Sequence, residues 1–479
     1  MLGAKFMNLL LVGLELSPIS VRSGAAESLL ALSKSLRLLD HEVTIVIPYF
    51  ESVSSSGLLA ARRISPLPCK AGSARVYEST LPSGAKLVLL EVGGEPYAQD
   101  AFTREGSERT TLEFAEAVVR LVLERLNQGQ GPDLVHAIGD RAGLVLPLLR
   151  FEDAAIGRAV SLLLPYEPGE LSAELLAEWK LEAEPQKDSR SRLACVLGAA
   201  ETVICPSRFV RDAFLGPLGP RSSVLRLEER GLVHIVPEGL DVGVYNPASD
   251  PALPFRYTPH DRSGKARSRS KYIQEHRLTQ GAESPLVAVD LVRASSSDVK
   301  RALDEVPGLV RQGVLAVLCV RREHQAEATE AASAFADRVA VEVEPGPARA
   351  RWALGAADFW LPLGGDDGSG RRLLEAARYG AVPLVESAGP LAERAVPVDA
   401  ELYSGTALVY DPSESLTEAA GRAIAAYRRP AFSSWVGRVM AQDFAWDRAA
   451  RRHLQLYRQM LRGGASSRSE LGAAEASAL

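Results

Sequence analysis

Apolar runs of strand length alternate with helical patterns along most of the chain. In the first half, Met7–Gly13 predicts a strand, Gly24–Leu38 a helix and Glu42–Pro48 the next strand. Lys86–Val92, Asp133–Ala137, Ala159–Leu164, Thr202–Cys205 and Leu232–Pro237 read as further strands, and Thr111–Leu126 as a helix. The pattern then restarts. Pro285–Leu291, Val314–Val320, Val339–Glu344, Phe359–Leu363, Val382–Glu386 and Thr406–Tyr410 predict strands, separated by helices over Ser296–Val310, His324–Ala336 and Arg371–Tyr379. Leu416–Tyr427 reads as one more helix. Such alternation signals parallel sheets with helices on both faces. The expected fold class is therefore α/β, with two Rossmann-like doubly wound domains facing a cleft. Ligands of such sheets bind beyond the carboxyl ends of the strands.

These elements divide the chain. Residues 1–244 form the first expected domain, 245–284 a Pro-rich connector and 285–432 the second domain. Residues 433–462 carry a closing helix, with Phe444, Trp446, Ala450, Leu454 and Tyr457 on its apolar side, expected to return to the first domain. The stretch 463–479, GGASSRSELGAAEASAL, is small and polar and reads as a disordered tail. No short-period repeat is present.

Composition narrows the function classes. The chain has 479 residues, 46% hydrophobic and 24% charged, as expected of globular domains with full cores. A net charge of −5 gives no overall basic field for nucleic acid or an anionic membrane. The locally basic run Arg262, Lys265, Arg267, Arg269, Lys271 reads as the solvated face of a connector, with a binding patch as the competing reading. The four cysteines, Cys69, Cys195, Cys205 and Cys319, are too scattered for a disulfide framework or a zinc site, and Cys195 and Cys205 read as buried thiols. The run Phe6–Leu16 is interrupted by Glu15 and reads as a core strand rather than a signal peptide. With no apolar run of membrane-spanning length, a cytoplasmic protein is expected.

The most specific stretch is 241–278, DVGVYNPASDPALPFRYTPHDRSGKARSRSKYIQEHRL. It resembles the interdomain segment of bacterial glycogen and starch synthases, roughly D-x-x-x-W-N-P-x-x-D-P-x-L-P-x-x-Y-S-x-x-D-x-x-G-K-A. Other segments resemble the same family in the same order. MNLLLVGLELSP is similar to its opening strand and S-E-x-x-P, HEVTIVIPYF to G-H-D-V-x-V-x-x-P-x-Y, and GPDLVHA to P-D-V-V-H-A-H-D-W. RYGAVPLVESAGPL is similar to R-Y-G-T-x-P-x-V-R-x-T-G-G-L, and MAQDFAWDRAARRHLQLY to the closing M-x-x-D-F-S-W-x-x-A-A motif. The resemblance runs from about Met7 to Leu461. It implies a GT-B fold and retaining transfer of glucose from ADP-glucose, or sometimes UDP-glucose, to an α-1,4-glucan. It implies no metal and no cofactor, because basic side chains and helix N-termini hold the diphosphate.

The resemblance also places site residues, and there the chain departs from it. Leaving-group charge must be met by fixed cations and N–H groups. The family's arginine and lysine in S-R-L-x-x-Q-K-G fall on Val292 and Ser297 of DLVRASSSDV, with Arg293 one residue away and Lys300 three residues late. A one-residue slip in a strand turns a side chain to the other face, so Arg293 substitutes only if the loop is rebuilt. The K-[ST]-G-G-L loop reads VRSGAA: Val21 takes the lysine position, Arg22 is adjacent, and Gly24 is retained. The histidine of V-H-N falls on Leu163, which cannot exchange a proton. H-A-H-D-W reads HAIGDR, which keeps His136, places Ile138 and Gly139 at the polar pair and offers Asp140 as a substitute. His136 reads as a strand-end structural histidine rather than a catalyst.

The E-P-C-G-L loop, home of the family's catalytic glutamate, reads GGDDGSGRRLLEAARYG. Asp367 falls at or beside the glutamate position, with Asp366 next to it, and either can instead cap the following helix. Gly368, Ser369 and Gly370 offer backbone N–H groups to an anion. Glu375 stands eight residues after Asp367, an acid-x7-acid spacing seen in other retaining GT-B enzymes. The T-G-G-L turn reads AGPL, keeping Gly389 and replacing a glycine with Pro390, which has no N–H to donate. The L-G-x-G-D turn reads CVRREH.

Two functions fit these residues. One is a family glucosyltransferase with a rebuilt donor site. The other is a catalytically silent homologue that binds glucan or a partner enzyme of glycogen metabolism. A dinucleotide-binding oxidoreductase fits less well, because no G-x-G-x-x-G follows either opening strand.

Overall fold

The computed structural model describes residues 6–21, 23–152, 156–163, 169–181, 191–216, 227–279, 284–364 and 368–476, with backbone alone beyond 462. The chain forms two compact units, 1–238 with 446–479, and 239–445.

The first unit is built on one ten-stranded sheet. Its strands are β1 (Asn8–Val12), β2 (Glu42–Pro48), β3 (Ala61–Arg62), β4 (Leu67–Cys69), β5 (Gly72–Thr80), β6 (Lys86–Val92), β7 (Leu134–Ile138), β8 (Gly157–Ser161), β9 (Thr202–Cys205) and β10 (Val233–Ile235). The order is β10-β9-β8-β7-β1-β2-β6-β5-β3, with β4 also on β5. The seven strands from β10 to β6 are parallel, and β5 adds antiparallel to β6. The antiparallel piece is not signalled by apolar runs. Along β5 only Ala74 and Val76 are buried, at alternate positions, as on a sheet with one wet face.

Helix 447–476 belongs to this unit: Trp446, Ala450, Leu454 and Tyr457 join the core of the first sheet. It extends well past the point where the sequence reading ends it, because the Ala-, Glu- and Arg-containing tail carries good helix formers. Helix 432–440 packs in the second unit instead, through Phe432, Trp435 and Val439. The chain therefore returns to the first unit at Trp446, not at 433.

The second unit has a six-stranded parallel sheet in the order β13-β12-β11-β14-β15-β16. The strands are β11 (Leu286–Asp290), β12 (Leu315–Val320), β13 (Val339–Val343), β14 (Phe359–Pro362), β15 (Val382–Glu386) and β16 (Leu408–Tyr410). The helix expected over Ser296–Val310 is two helices, 296–304 and 306–312, because Pro307 has no N–H to continue the first. The described part of 239–284 is also integral to this unit rather than a free connector. It contributes helix 263–275, whose Lys265 is buried and donates to the carbonyls of Gly355, Ala357 and Tyr379 at 3.2, 2.7 and 3.1 Å. Gly264 is required at its place: a Cβ there would lie 2.0 Å from the Arg256 carbonyl oxygen. Asp250, also buried, accepts from Arg351 at 2.8 Å and from the Tyr379 hydroxyl.

Cys195, Cys205 and Cys319 are buried free thiols, as read from sequence for the first two. Among the described residues no helix is long and apolar enough to cross a membrane, and no His, Cys, Asp and Glu group is arranged to hold a metal.

Two histidines, one on the first sheet and one on helix 447–476, are sealed where that helix packs on the sheet. His136 on β7 is fully buried, with Nδ1 2.6 Å from the Tyr457 hydroxyl and Nε2 2.8 Å from Ser161 Oγ. His453 stacks 5.7 Å from it and holds the Ala449 carbonyl through Nδ1. Burial pushes the His453 pKa down to about 4 and that of His136 well below the ordinary 6.5. Depressed folded values mean that the unfolded chain takes up protons first. Their contribution is intact above pH 6.5 and lost as pH falls toward about 4. For His453 alone the loss reaches about 3 kcal/mol. The urea midpoint of the first unit should therefore fall steadily from pH 7 to pH 5, and His453→Leu should flatten that slope. An unchanged slope in the variant would show that His453 is not buried neutral.

Candidate functional site

In a doubly wound sheet, a crevice opens where strand order reverses, because neighbouring loops leave toward opposite faces. The first sheet reverses between β1 and β7, and the second between β11 and β14. Of the residues singled out from sequence, Gly24 and Asp140 lie beyond strand ends of the first sheet, and Arg293, Gly368, Ser369, Gly370 and Gly389 beyond strand ends of the second.

In the first unit, the segments after β1 and β7, with the turn at Ser23–Ala25 and Leu163, line a cavity of about 210 Å³. Gly24 is buried and starts helix 25–38 at φ −64°, outside the left-handed region. Ser23 donates its N–H to Glu15 at 3.0 Å and its hydroxyl to the same carboxylate, while its Oγ accepts from Ala25 N at 3.1 Å. Glu15 thus fixes this turn. Val21 is 53% exposed, and Arg22 lies outside the described residues.

Asp140 lines the cavity, but its carboxylate accepts from Arg192 Nε at 2.7 Å. Arg192 is buried and has Glu108 at 3.6 Å as well. Arg141 donates to the Phe102 carbonyl at 2.6 Å and to Ser107 Oγ at 2.8 Å, and so pins the far wall. Ile138 and Leu163 make part of the lining apolar. His136 is not at this surface: its side chain is sealed in the core with both ring nitrogens engaged, which corrects its expected place at the cleft and matches the strand-end structural reading.

In the second unit, β11 ends at Asp290, and the next residues form a turn closed by Ala294 N on the Leu291 carbonyl at 3.1 Å. Strand parity therefore does not apply to residues 292 and 293. Val292 packs against the apolar layer containing Tyr272, Ile273 and Leu286. Arg293 is exposed, and its side chain has no hydrogen bond or ion pair among the described residues. Ser297 lies in the first turn of helix 296–304, its hydroxyl 2.8 Å from Ser295 Oγ.

Gly364, after β14, has φ +83°, and a Cβ there would lie 2.4 Å from Ala294 Cα and 2.8 Å from the Arg293 carbonyl oxygen. Only glycine lets the two strand-end loops approach so closely. Gly368 and Gly370 also have positive φ, Ser369 is fully buried with its Oγ accepting from Arg371 N, and Gly370 begins helix 371–378. Gly389, at φ +85°, opens helix 390–394. A Cβ on Gly370 would meet Arg394 Cγ at 2.3 Å and the Pro390 carbonyl at 3.0 Å, so the 368–370 and 389–390 turns are neighbours. Asp366 and Asp367 lie outside the described residues. Glu375 pairs with Arg371 at 3.2 Å, an i,i+4 bridge within the helix. The glycine-rich turn of the family is replaced after β12 by a short helical turn, Arg322–His324, with Arg322 bonded to Glu344.

Sequence reasoning missed one cluster. Asp290 accepts from Trp360 Nε1 at 3.1 Å, from Val292 N at 3.3 Å and from Arg372, whose guanidinium lies 5.3 Å above the Trp360 ring. Burial pushes the Arg372 pKa down to about 10, which leaves it charged. The signal was an acid ending an apolar strand. Glu15 was also missed, although it stood in the S-E-x-x-P match.

Comparison with known proteins agrees with this geometry. The family described as "Starch synthase catalytic domain" matches residues 8–160. Glycogen synthase 1 of Methylococcus capsulatus is 28% identical over 485 residues, covering 95% of this chain and 97% of its own. A glycogen synthase of Anaeromyxobacter dehalogenans is 28% identical, covering 95% and 100%. The chain is thus similar to glycogen and starch synthases over nearly its whole length. Among solved structures, the catalytic domain of starch synthase IV from Arabidopsis thaliana, bound to ADP and acarbose, superposes with a TM-score of 0.81 at 18% identity, covering 96% of this chain and 100% of that one. The glycosyltransferase WaaG, involved in lipopolysaccharide biosynthesis, superposes at 0.50 and 13% identity, covering 94% and 99%. The fold is that of GT-B glycosyltransferases.

Within this family fold, the Asp140–Arg192 pair makes Asp140 a wall support. Asp140→Asn should lower the stability of the first unit by about 1–3 kcal/mol, since it removes the nearer of two carboxylates paired with a buried guanidinium. Denaturant unfolding checks this. Unchanged stability would show that Asp140 is a free carboxylate of the cavity.

Proposed function

We propose that this glycogen/starch synthase-type glycosyltransferase handles a sugar nucleotide, ADP-glucose or UDP-glucose, and an α-1,4-glucan, with its diphosphate contacts rebuilt around Arg293. Donor binding is weak and glucosyl transfer slow. One observation carries this reading. At the places where the family's two cations are expected, Val292 is packed into an apolar layer and Ser297 is tied to Ser295, while the adjacent Arg293 is exposed and unengaged among the described residues.

The chemistry follows from charge. As the glycosidic bond to phosphate breaks, negative charge grows on the departing diphosphate, and fixed cations and N–H groups lower the barrier by meeting it. Each such donor removed costs about a hundred- to a thousandfold in rate, although losses need not add. A single guanidinium on a turn, with the N-terminal end of helix 371–378, supplies part of that field. Asp367 is the carboxylate assigned to the reacting sugar, with Asp366 beside it. Glu375 is held in its helix by Arg371.

A second reading, the silent homologue that binds glucan or a partner enzyme, is favoured by Leu163. It lines the first unit's cavity where the family histidine is expected, and it can neither donate nor accept a proton.

Calorimetry with ADP-glucose and UDP-glucose tests the donor site. Wild-type affinity should be no tighter than about 0.1 mM, Arg293→Ala should abolish it, and Ser297→Lys should improve it about tenfold. Micromolar ADP-glucose affinity that survives Arg293→Ala would defeat the proposal. In a preparation with measurable transfer or donor hydrolysis, Asp367→Asn should remove the rate and Glu375→Gln should spare most of it. The reverse result would misplace the catalytic loop. No turnover with any sugar nucleotide, together with glycogen binding, would establish the silent reading.

A further inference from the structure

The basic run of helix 263–275 does not form one solvated face. Arg267 lies 4.5 Å over the Phe255 ring and Lys271 5.9 Å over Trp352, on one side. Arg262, Lys265 and Arg269 turn to the other side, where they line a groove of about 1030 Å³ within the second unit. Its opposite wall is the stretch Tyr427–Val436, and its floor includes Asp358 and Gly380. Asp358 and Gly380 immediately precede strands or their lead-in, so the groove lies at the amino ends of the strands, away from Arg293 and Gly364.

Among the described residues, five cations, Arg262, Lys265, Arg269, Arg277 and Arg429, face one carboxylate, Asp358. Asp358 is taken by Arg269 at 3.1 Å, and Lys265 is spent on backbone carbonyls. Arg262 bonds the Ser433 carbonyl and hydroxyl at 2.9 and 2.8 Å, which fixes the wall without cancelling the charge. Arg277 and Arg429 are exposed at the rim, and their side chains have no hydrogen bond or ion pair among the described residues. Ile273, Tyr427, Phe432 and Val436 supply an apolar flank.

We propose that this groove binds a small phosphorylated molecule, with Arg277 and Arg429 on the phosphate and the flank by Tyr427 and Phe432 on its body. Paired guanidinium forks recognise phosphate oxygens, and a concave wall with few balancing acids concentrates the field on them. The volume is at the upper end for small-ligand sites.

Calorimetry on the full chain at low salt, with pyrophosphate and AMP as probes, tests this. At least one probe should bind saturably with a Kd below about 1 mM. Arg277→Ala combined with Arg429→Ala, both at exposed positions, should weaken it at least about tenfold. Arg293→Ala should leave it unchanged. Binding of pyrophosphate alone would assign the site to free phosphates, and binding of AMP alone to a ring-bearing phosphate. Failure of both probes to saturate by about 5 mM, or affinity unchanged in the double variant, overturns the proposal. Loss in Arg293→Ala with retention in the double variant overturns it too, and places the probe at the strand-end site.

Discussion

The second unit depends on one buried ammonium group. Helices end in carbonyls without intrahelical partners, and two helices of this unit, 347–356 and 371–378, end in its interior. Lys265 meets both ends, donating to Gly355 and Ala357 after the first and to Tyr379 after the second. Burial pulls its pKa down to about 7, against the opposing pull of the Asp358 carboxylate. Tyr257 adds its hydroxyl to the Tyr379 carbonyl at 2.8 Å, and Asp250 holds the Tyr379 hydroxyl and Arg351. Helix 263–275 must therefore sit against the unit closely enough that only glycine fits at 264. The segment most easily matched to a family is the one that closes these helix ends.

That explains why fold and family were legible while the site was less so. The strands buried on both faces were readable as apolar runs, and β2, β6, β9 and β15 carry the boundaries expected for them. The antiparallel β3–β5 piece was not, because a strand with one wet face carries only alternate apolar residues. Helix 263–275 was hidden by its polarity, since its burial rests on Lys265, Ser268 and Tyr272 rather than on an apolar stripe.

At the site, sequence spacing put Arg293 on the wrong side of a strand that has already ended. The turn at 291–294 could be seen only with the Asp290 carboxylate holding Val292 N and with Gly364 against Ala294. His136 shows the converse: a polar residue at a strand end reads as chemistry until its partners, Tyr457 from a distant helix and Ser161, are known. Asp140 lines a cavity, but its partner Arg192 lies on a helix that no motif linked to it.

The rim substitutions also have a consistent energetic sense. An arginine at 292 would have to leave the layer that Val292 joins, and a lysine at 297 would sit unfavourably in the first turn of a helix. Valine gains apolar contact there, and serine joins the Ser295 cap, so both residues suit the local fold better than an arginine or a lysine would. Glycine is favoured at 364, 368 and 370 by the fold itself, through their positive φ values and the close backbone approach at Gly364. The strand-end architecture is thus held by backbone geometry, whereas its charge depends on a few exposed side chains that the fold does not constrain.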